Sequence, residues 1–146
     1  MRLQAKVVAA VVALLASTQA TADIVLIAPN ADASIYAESG GLSNGAGQGL
    51  FTGQTNDGFV RRALVSFDVA GSVPAGATVN SASLHLYATQ SNTGALTTNL
   101  HRLLFGFNEG TVLAPGNGGT GAPANPGDST WTHRVFNTTP WAMPGF

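Results

Sequence analysis

The chain contains no cysteine among its 146 residues. Disulfides, thiolate metal sites, a cysteine nucleophile and a lipid-bearing cysteine of the lipoprotein type are thereby excluded. Charge is also scarce, because Asp, Glu, Lys and Arg together make up 9% of the residues. The fold must therefore be stabilised by apolar burial and sheet hydrogen bonds. The 18 glycines favour short strands joined by turns over long charged helices.

Lysine is absent beyond residue 22, where four arginines stand against seven acidic residues. A mildly acidic chain without a basic stripe lacks the positive surface that binding to a phosphate backbone requires. We therefore expect no nucleic-acid partner.

The N-terminus carries the three parts of a secretory signal: Arg2 and Lys6, an apolar run over residues 7–16, and the small residues 20–22. The apolar run is too short to span a bilayer as a helix, which takes about 20 residues. This pattern predicts a signal helix over residues 1–22 that is cleaved after export, and one domain over residues 23–146. We expect a secreted or cell-surface location with no membrane span after cleavage.

Short runs of alternating or strand-like composition, each bounded by turn residues, predict strands in the exported part. They cover residues 24–28, 34–37, 49–52, 61–69 and 79–88 and, with an uncertain register, 96–107. Two stretches rich in Gly, Asn, Ser and Pro, 40–49 and 114–129, are predicted loops. With no helical pattern after the signal, the sequence predicts an all-β fold, an antiparallel β-sandwich or jelly roll.

Alternation within two of these segments predicts which side chains face the core. In the segment 61–69, one set of alternate positions is expected to point inward: Ala63, Val65, Phe67 and Val69. In the segment 79–88, the alternation is typical of a half-buried strand whose inward set is Ala82, Leu84 and Leu86. We expect the two inward sets to meet across two stacked sheets.

Several motifs follow one another in order along residues 29–146. They are Asp32-Ala33-Ser34-Ile35, Asn44-Gly45-Ala46-Gly47, residues 61–69, Val73-Pro74-Ala75-Gly76, residues 82–87, Asn108-Glu109-Gly110-Thr111 and residues 127–134. In this order they resemble the DNRLRE-type domain family, β-sandwich modules of secreted and surface-attached bacterial and archaeal proteins. Because some relatives sit beside polysaccharide-degrading domains, the resemblance implies a non-catalytic adhesion or polysaccharide-contacting role at the cell surface or matrix.

The chain departs from that family in two places. Phe105 and Phe107 stand where the family usually has a tryptophan ahead of the Glu-Gly pair. Domains of the family also continue for several strands beyond the region that corresponds to residues 141–145. The resemblance therefore implies a copy truncated at its C-terminus, with sheet edges left unpaired.

Patterns that carry chemistry are weak throughout. The three histidines, His85, His101 and His133, are far apart and lack metal-ligand spacing. There is no Asp-x-Asp-x-Asp calcium loop, no Gly-x-Ser-x-Gly motif, and no lysine after the glycine-rich stretch 40–49. Asp57 is expected in a turn and Asp68 as a cap or turn acceptor. We predict no metal, no cofactor and no catalytic residue.

Aromatic residues near the C-terminus are the best candidates for binding. Sugar rings stack on aromatic faces, so Trp141 and Trp131 are predicted carbohydrate contacts, with Arg134 and Asp128 bonding to hydroxyls or Arg134 pairing with uronates. Trp131 is the one expected to favour the core, and Trp141 the one expected to be exposed. Two alternatives stay open: a structural spacer or matrix domain, and a fragment of a polysaccharide-degrading enzyme whose carboxylates meet only in the folded chain.

Overall fold

The computed structural model describes residues 23–91 and 97–143. The predicted signal helix over residues 1–22 lies outside the described residues. Nowhere in the described ranges is there a helix with the length and apolar character needed to cross a membrane.

Five short strands form the main sheet, and all neighbours in it are antiparallel. In chain order they are β1 (Ala31–Tyr36), β2 (Leu42–Asn44), β3 (Gly53–Gln54), β4 (Val60–Ser66) and β5 (Ala122–Pro123), and their order in the sheet is β3-β4-β1-β2-β5. A second sheet consists of β6 (His133–Val135) and β7 (Thr139–Pro140). The predicted all-β, antiparallel fold is confirmed.

Among the described residues the one helical turn is α1 (Val69–Ser72), which follows β4. The Asp68 carboxylate caps it by accepting a hydrogen bond from the Gly71 N–H at 2.9 Å. The prediction that Asp68 is a cap acceptor is confirmed. Residues 55–58 form the predicted turn between β3 and β4, closed by the Gly58 N–H donating to the Thr55 carbonyl at 3.0 Å.

The strand β1 lies at the centre because both of its neighbours pair with it and both of its faces are covered. Its register with β4 runs from Ala31 opposite Ser66 to Tyr36 opposite Arg61. Ala33 and Ile35 point to one face and Ser34 and Tyr36 to the other, and all four are fully buried. The five-stranded sheet therefore has an apolar face and a polar face, each under its own cover.

The apolar face carries the core of the described structure. The buried cluster comprises Ala33, Ile35, Leu64 and Trp141, with Leu103, Phe107 and Trp131 packed against it. Trp141 directly follows β7, so the small sheet supplies part of the second layer.

The predicted inward face of the segment 61–69 is wrong. Leu64, expected to point outward, is in the core because it lies opposite Ala33 on the apolar face. Ala63 and Val65 share the other face with Arg61 and are only half-buried, and Val69 is exposed. Alternation shows that a strand has two faces. When both faces of the sheet are covered, the sequence pattern does not show which of them forms the apolar core.

The polar face lies beneath the segment 112–121. The Tyr36 hydroxyl donates to the Gly118 carbonyl at 2.7 Å, and Nε of Arg61 donates to the Gly119 carbonyl at 2.6 Å. The Arg61 guanidinium also pairs with the Glu38 carboxylate. These contacts hold the segment on the sheet although it contains no strand before β5.

Several predicted strands do not form. Residues 24–28, 49–52, 79–88 and the described residues 97–107 of the segment 96–107 are in no strand, and the pairing near 49–52 is instead made by β3. Leu84, expected inside, is 38% exposed and Leu86 is 70% exposed. Conversely, the predicted loops 40–49 and 114–129 contain β2 and β5. Strand composition alone forms no strand where no neighbouring backbone is aligned to accept its hydrogen bonds.

Candidate functional site

An open pocket of about 320 Å³ lies beside the small sheet. Five described residues line it: Phe105, Arg134, Pro140, Trp141 and Ala142. Four of them offer apolar or aromatic surface, and Arg134 is the only charged one. The pocket therefore combines an apolar wall with a single cation.

The β6–β7 hairpin brings Arg134 and Pro140 to this pocket. His133 pairs with Pro140 and Val135 with Thr139, with an irregularity between the two pairs. Asn137 lies in the connecting turn with a φ of 65°, a left-handed conformation that asparagine tolerates better than most residues. The pocket wall is therefore built on paired strands.

Two hydrogen bonds fix the position of Trp141. Its indole N–H donates to the Thr130 carbonyl at 2.9 Å, and its backbone N–H donates to the Thr132 carbonyl at 3.1 Å. Only 7% of the residue is exposed, because the ring belongs to the buried cluster on the apolar face. Trp141 thus offers the pocket a fixed patch of its surface.

The expected order of exposure of the two tryptophans is wrong. Trp141, expected outside, is buried, whereas Trp131 is only half-buried, and the Arg62 guanidinium lies 4.9 Å from its ring centroid. Proximity to Pro140 and Pro144 suggested a loop position for Trp141, but the indole N–H of Trp141 has a buried acceptor, Thr130.

The Arg134 guanidinium is close to the aromatic wall. Its Nη1 donates to the Gly106 carbonyl at 3.4 Å, and its carbon lies 5.9 Å from the Phe105 ring centroid. Among the described residues no carboxylate forms an ion pair with Arg134. A guanidinium without a carboxylate partner can donate to an anionic or hydroxyl-bearing ligand.

Asp128, a predicted sugar contact, instead organises the backbone. It is 1% exposed, and its two oxygens accept hydrogen bonds from the Thr111 N–H at 2.9 Å and the Asn125 N–H at 2.8 Å. The structure therefore brings Trp141 and Arg134 together in one pocket and places Asp128 and Trp131 elsewhere.

Three pocket residues were not predicted from the sequence: Phe105, Pro140 and Ala142. Phe105 lies in the segment whose register was ambiguous, and it reaches the pocket because Asn108 is tied to the small sheet. The Asn108 N–H donates to the Arg134 carbonyl at 3.4 Å, and the Ser129 hydroxyl donates to the Asn108 carbonyl at 2.6 Å. The weak signal for Pro140 was its place directly before Trp141.

Catalytic groups are not gathered at this pocket. None of its five described lining residues bears a carboxylate, an imidazole or a hydroxyl. Elsewhere, burial and the neighbouring Glu109 carboxylate raise the pKa of Asp32. Within the described ranges, no group of three or more His, Cys, Asp or Glu side chains is placed to hold a metal ion.

No known family model, curated protein or solved structure matches the chain.

Proposed function

We propose that this protein is a non-catalytic, exported β domain that contacts extracellular polysaccharide at the cell surface or in the matrix. One observation carries the proposal: Phe105, Trp141 and Arg134 line the same pocket. Apolar and aromatic walls with one placed polar group are the usual composition of a small-ligand site.

The chemistry of the pocket suits a sugar ring. The C–H faces of a pyranose pack on aromatic surface, and its hydroxyls or carboxylate accept hydrogen bonds from a guanidinium. About 320 Å³ lies at the low end of ligand pockets, which run from about 300 to 1,000 Å³. We infer that the pocket holds a single sugar unit of a longer chain, and that Arg134 favours an acidic one.

Two features of the sequence support the same proposal. The N-terminal pattern is that of an export signal, which would bring the domain to extracellular glycans. The ordered motifs resemble DNRLRE-type modules, some of which sit beside polysaccharide-degrading domains. Both are independent of the pocket geometry.

Affinity electrophoresis in gels that contain a polyuronate or a neutral glucan tests the proposal. The polyuronate should retard the protein, and Arg134→Gln should weaken binding at least about tenfold, the loss expected when a charge-assisted hydrogen bond is removed. Phe105→Ala should weaken binding to whichever of the two glycans retards the parent protein. The matched control is Arg102→Gln, which removes an exposed arginine outside the pocket lining and should leave mobility shifts unchanged.

Absence of retardation by both glycans, or equal binding by Arg134→Gln, Phe105→Ala and the parent protein, would overturn the proposal. That outcome would favour the alternative of a structural spacer or matrix domain.

A further inference from the structure

Three consecutive buried residues, Asp128, Ser129 and Thr130, are hydrogen-bonded to the pocket wall without lining the pocket. Asp128 is 1% exposed, and the other two are fully buried. They lie in no strand, and none of them belongs to the lining. We call residues 128–130 the support segment.

Contacts outside the pocket fix the support segment in place. The Asp128 carbonyl accepts a hydrogen bond from the Phe136 N–H at 2.7 Å, and the Thr130 N–H donates to the His133 carbonyl at 2.8 Å. The Asp128 carboxylate accepts from two further backbone N–H groups. Ser129 lies between these two anchored residues, so the starting point of its side chain is fixed.

The Ser129 hydroxyl joins two walls of the pocket. Its Oγ lies 2.6 Å from the Asn108 carbonyl oxygen and 2.9 Å from the Arg134 carbonyl oxygen, and its one hydrogen is shared between these acceptors. Arg134 lines the pocket from β6, and Asn108 ends the short stretch that begins with Phe105. One buried hydroxyl therefore lies between the main chains that carry the aromatic ring and the cation.

The direct hydrogen bonds between these two walls are longer. The Asn108 N–H donates to the Arg134 carbonyl at 3.4 Å, and Nη1 of Arg134 donates to the Gly106 carbonyl at 3.4 Å, whereas such bonds usually measure about 2.7–3.2 Å. The Asn108 side chain also donates to the Gly127 carbonyl at 3.1 Å, but this bond is exposed, so water can replace it. Phe105 is 59% exposed and lies in no strand, so packing alone does not fix its ring.

The residue after Ser129 fixes the third wall. The Thr130 carbonyl accepts a hydrogen bond from the indole N–H of Trp141 at 2.9 Å. The support segment is thus bonded to Trp141 and Arg134 directly, and to the Phe105 stretch through Asn108.

We propose that Ser129 is a positioning residue of the glycan site, whose buried hydroxyl fixes the spacing between the Phe105 ring and the Arg134 guanidinium. Its role in binding rests on the proposed function, whereas the spacing itself can be measured without a glycan. Walls that are already in place reduce the ordering cost of binding. Loss of the hydroxyl should therefore weaken binding about three- to tenfold, which corresponds to the ordering of one side chain.

Nuclear magnetic resonance tests the spacing in the absence of any glycan. The Phe105 ring centroid lies 5.9 Å from the guanidinium carbon of Arg134, so the ring current should shift the resonances of that side chain, and Phe105→Ala measures the shift. Most of this shift should disappear in Ser129→Ala. Tyr36→Phe is the matched control, because it removes another buried hydroxyl that donates to a carbonyl, that of Gly118 at 2.7 Å, and should leave the shift unchanged.

Affinity electrophoresis with the polyuronate tests the role in binding. Ser129→Ala should bind about three- to tenfold more weakly than the parent, whereas Tyr36→Phe should bind equally well although it also loses a buried hydrogen bond. Because Ser129 acts through the position of the Phe105 ring, adding Ser129→Ala to Phe105→Ala should cost less affinity than adding it to the parent. A residue that only stabilised the fold would not produce this dependence.

Ser129→Cys keeps a weaker donor of similar shape, and it replaces Ser129→Ala if that variant does not fold. It should lose a smaller part of the shift. An unchanged Arg134 shift in the folded variant, or an undiminished loss of affinity in the Phe105→Ala background, would overturn the proposal. If neither glycan retards the parent, the proposed function fails instead, and the chemical shifts still decide whether Ser129 sets the spacing.

Discussion

Asp128 shows how one buried side chain can organise a region with little secondary structure. Its carboxylate satisfies the backbone N–H groups of Thr111 and Asn125, and its own carbonyl accepts from the Phe136 N–H at 2.7 Å. It thereby joins three stretches of chain at residues that lie in no strand.

Replacing this carboxylate should lower stability sharply. Asp128→Ala removes two part-buried hydrogen bonds to a charged acceptor, and each such bond contributes about 1–3 kcal/mol. We expect the free energy of unfolding in urea, followed by tryptophan fluorescence, to fall by about 2–4 kcal/mol. Asp128→Asn keeps one acceptor oxygen and should lose about half as much. Equal stability of Asp128→Ala and the parent would contradict this role.

Asp32 should make the protein less stable at neutral pH than in acid. Burial and Glu109 raise its folded pKa above 3.8, so the charged form is disfavoured in the native state. The destabilisation is complete above the folded pKa and disappears as the pH falls below 3.8. Asp32→Asn should therefore be more stable than the parent at pH 7, and the difference should close below pH 3.8.

Urea denaturation at a series of pH values measures this difference. Asp57→Asn removes the same charge from an exposed turn and is the control. A gap between Asp32→Asn and the parent that widens on acidification would contradict the assignment.

Among the elements, the end of β2 depends on a very close approach of two backbones. A Cβ at Gly45 would overlap the carbonyl oxygen of Glu109, and the next residue, Ala46, donates its N–H to the Val112 carbonyl at 2.9 Å. The segment that crosses there has no strand of its own. Its position is set by this contact and by the Ala114 N–H, which donates to the Asn44 side chain at 3.0 Å.

Gly45→Ala should therefore displace this segment and lower the free energy of unfolding by about 2 kcal/mol or more, as overpacking of a tight contact does. Gly49→Ala is the matched control, because a Cβ there meets nothing within 4 Å. Thermal denaturation of both variants compares them. Similar melting temperatures would contradict a close contact between Gly45 and the Glu109 carbonyl.

A strand can be predicted from the sequence when its own residues carry a long enough pattern. β4 was predicted, as residues 61–69, from a long alternation, whereas β1 was predicted only in part, as residues 34–37; the two strands pair with each other along β1. β2 has three residues and pairs with β1 and β5, and β5 has two residues and pairs with β2. Their pattern is too short to distinguish them from loops.

The candidate site was half predictable for the same reason. Trp141 and Arg134 stand close together in a segment where residue type alone suggests binding. Phe105 is more distant in sequence and comes to the pocket through hydrogen bonds of Asn108 and Ser129 that no local pattern encodes. Burial of Trp141 depends on the hydrogen bond from its indole N–H to the Thr130 carbonyl, which is a tertiary contact that the local sequence does not encode.

For the molecule as a whole, stability should be unevenly distributed. The amides of β1 and β4 are paired and covered, whereas those of residues 77–91 lie in no strand and on exposed backbone. In hydrogen exchange, residues 77–91 should exchange orders of magnitude faster than β1. Protection of both regions to a similar degree would contradict this distribution.

Contacts around the main sheet connect residues far apart in the chain, and this affects the order of folding. The Tyr36 hydroxyl reaches a carbonyl 82 residues away, and the Thr132 hydroxyl donates to the Gly40 carbonyl, 92 residues back. Closing loops of this length requires a large loss of chain entropy before any contact forms, which slows folding. The sheet therefore cannot be completed until nearly the whole polypeptide is available, and its closure should be a late step in folding.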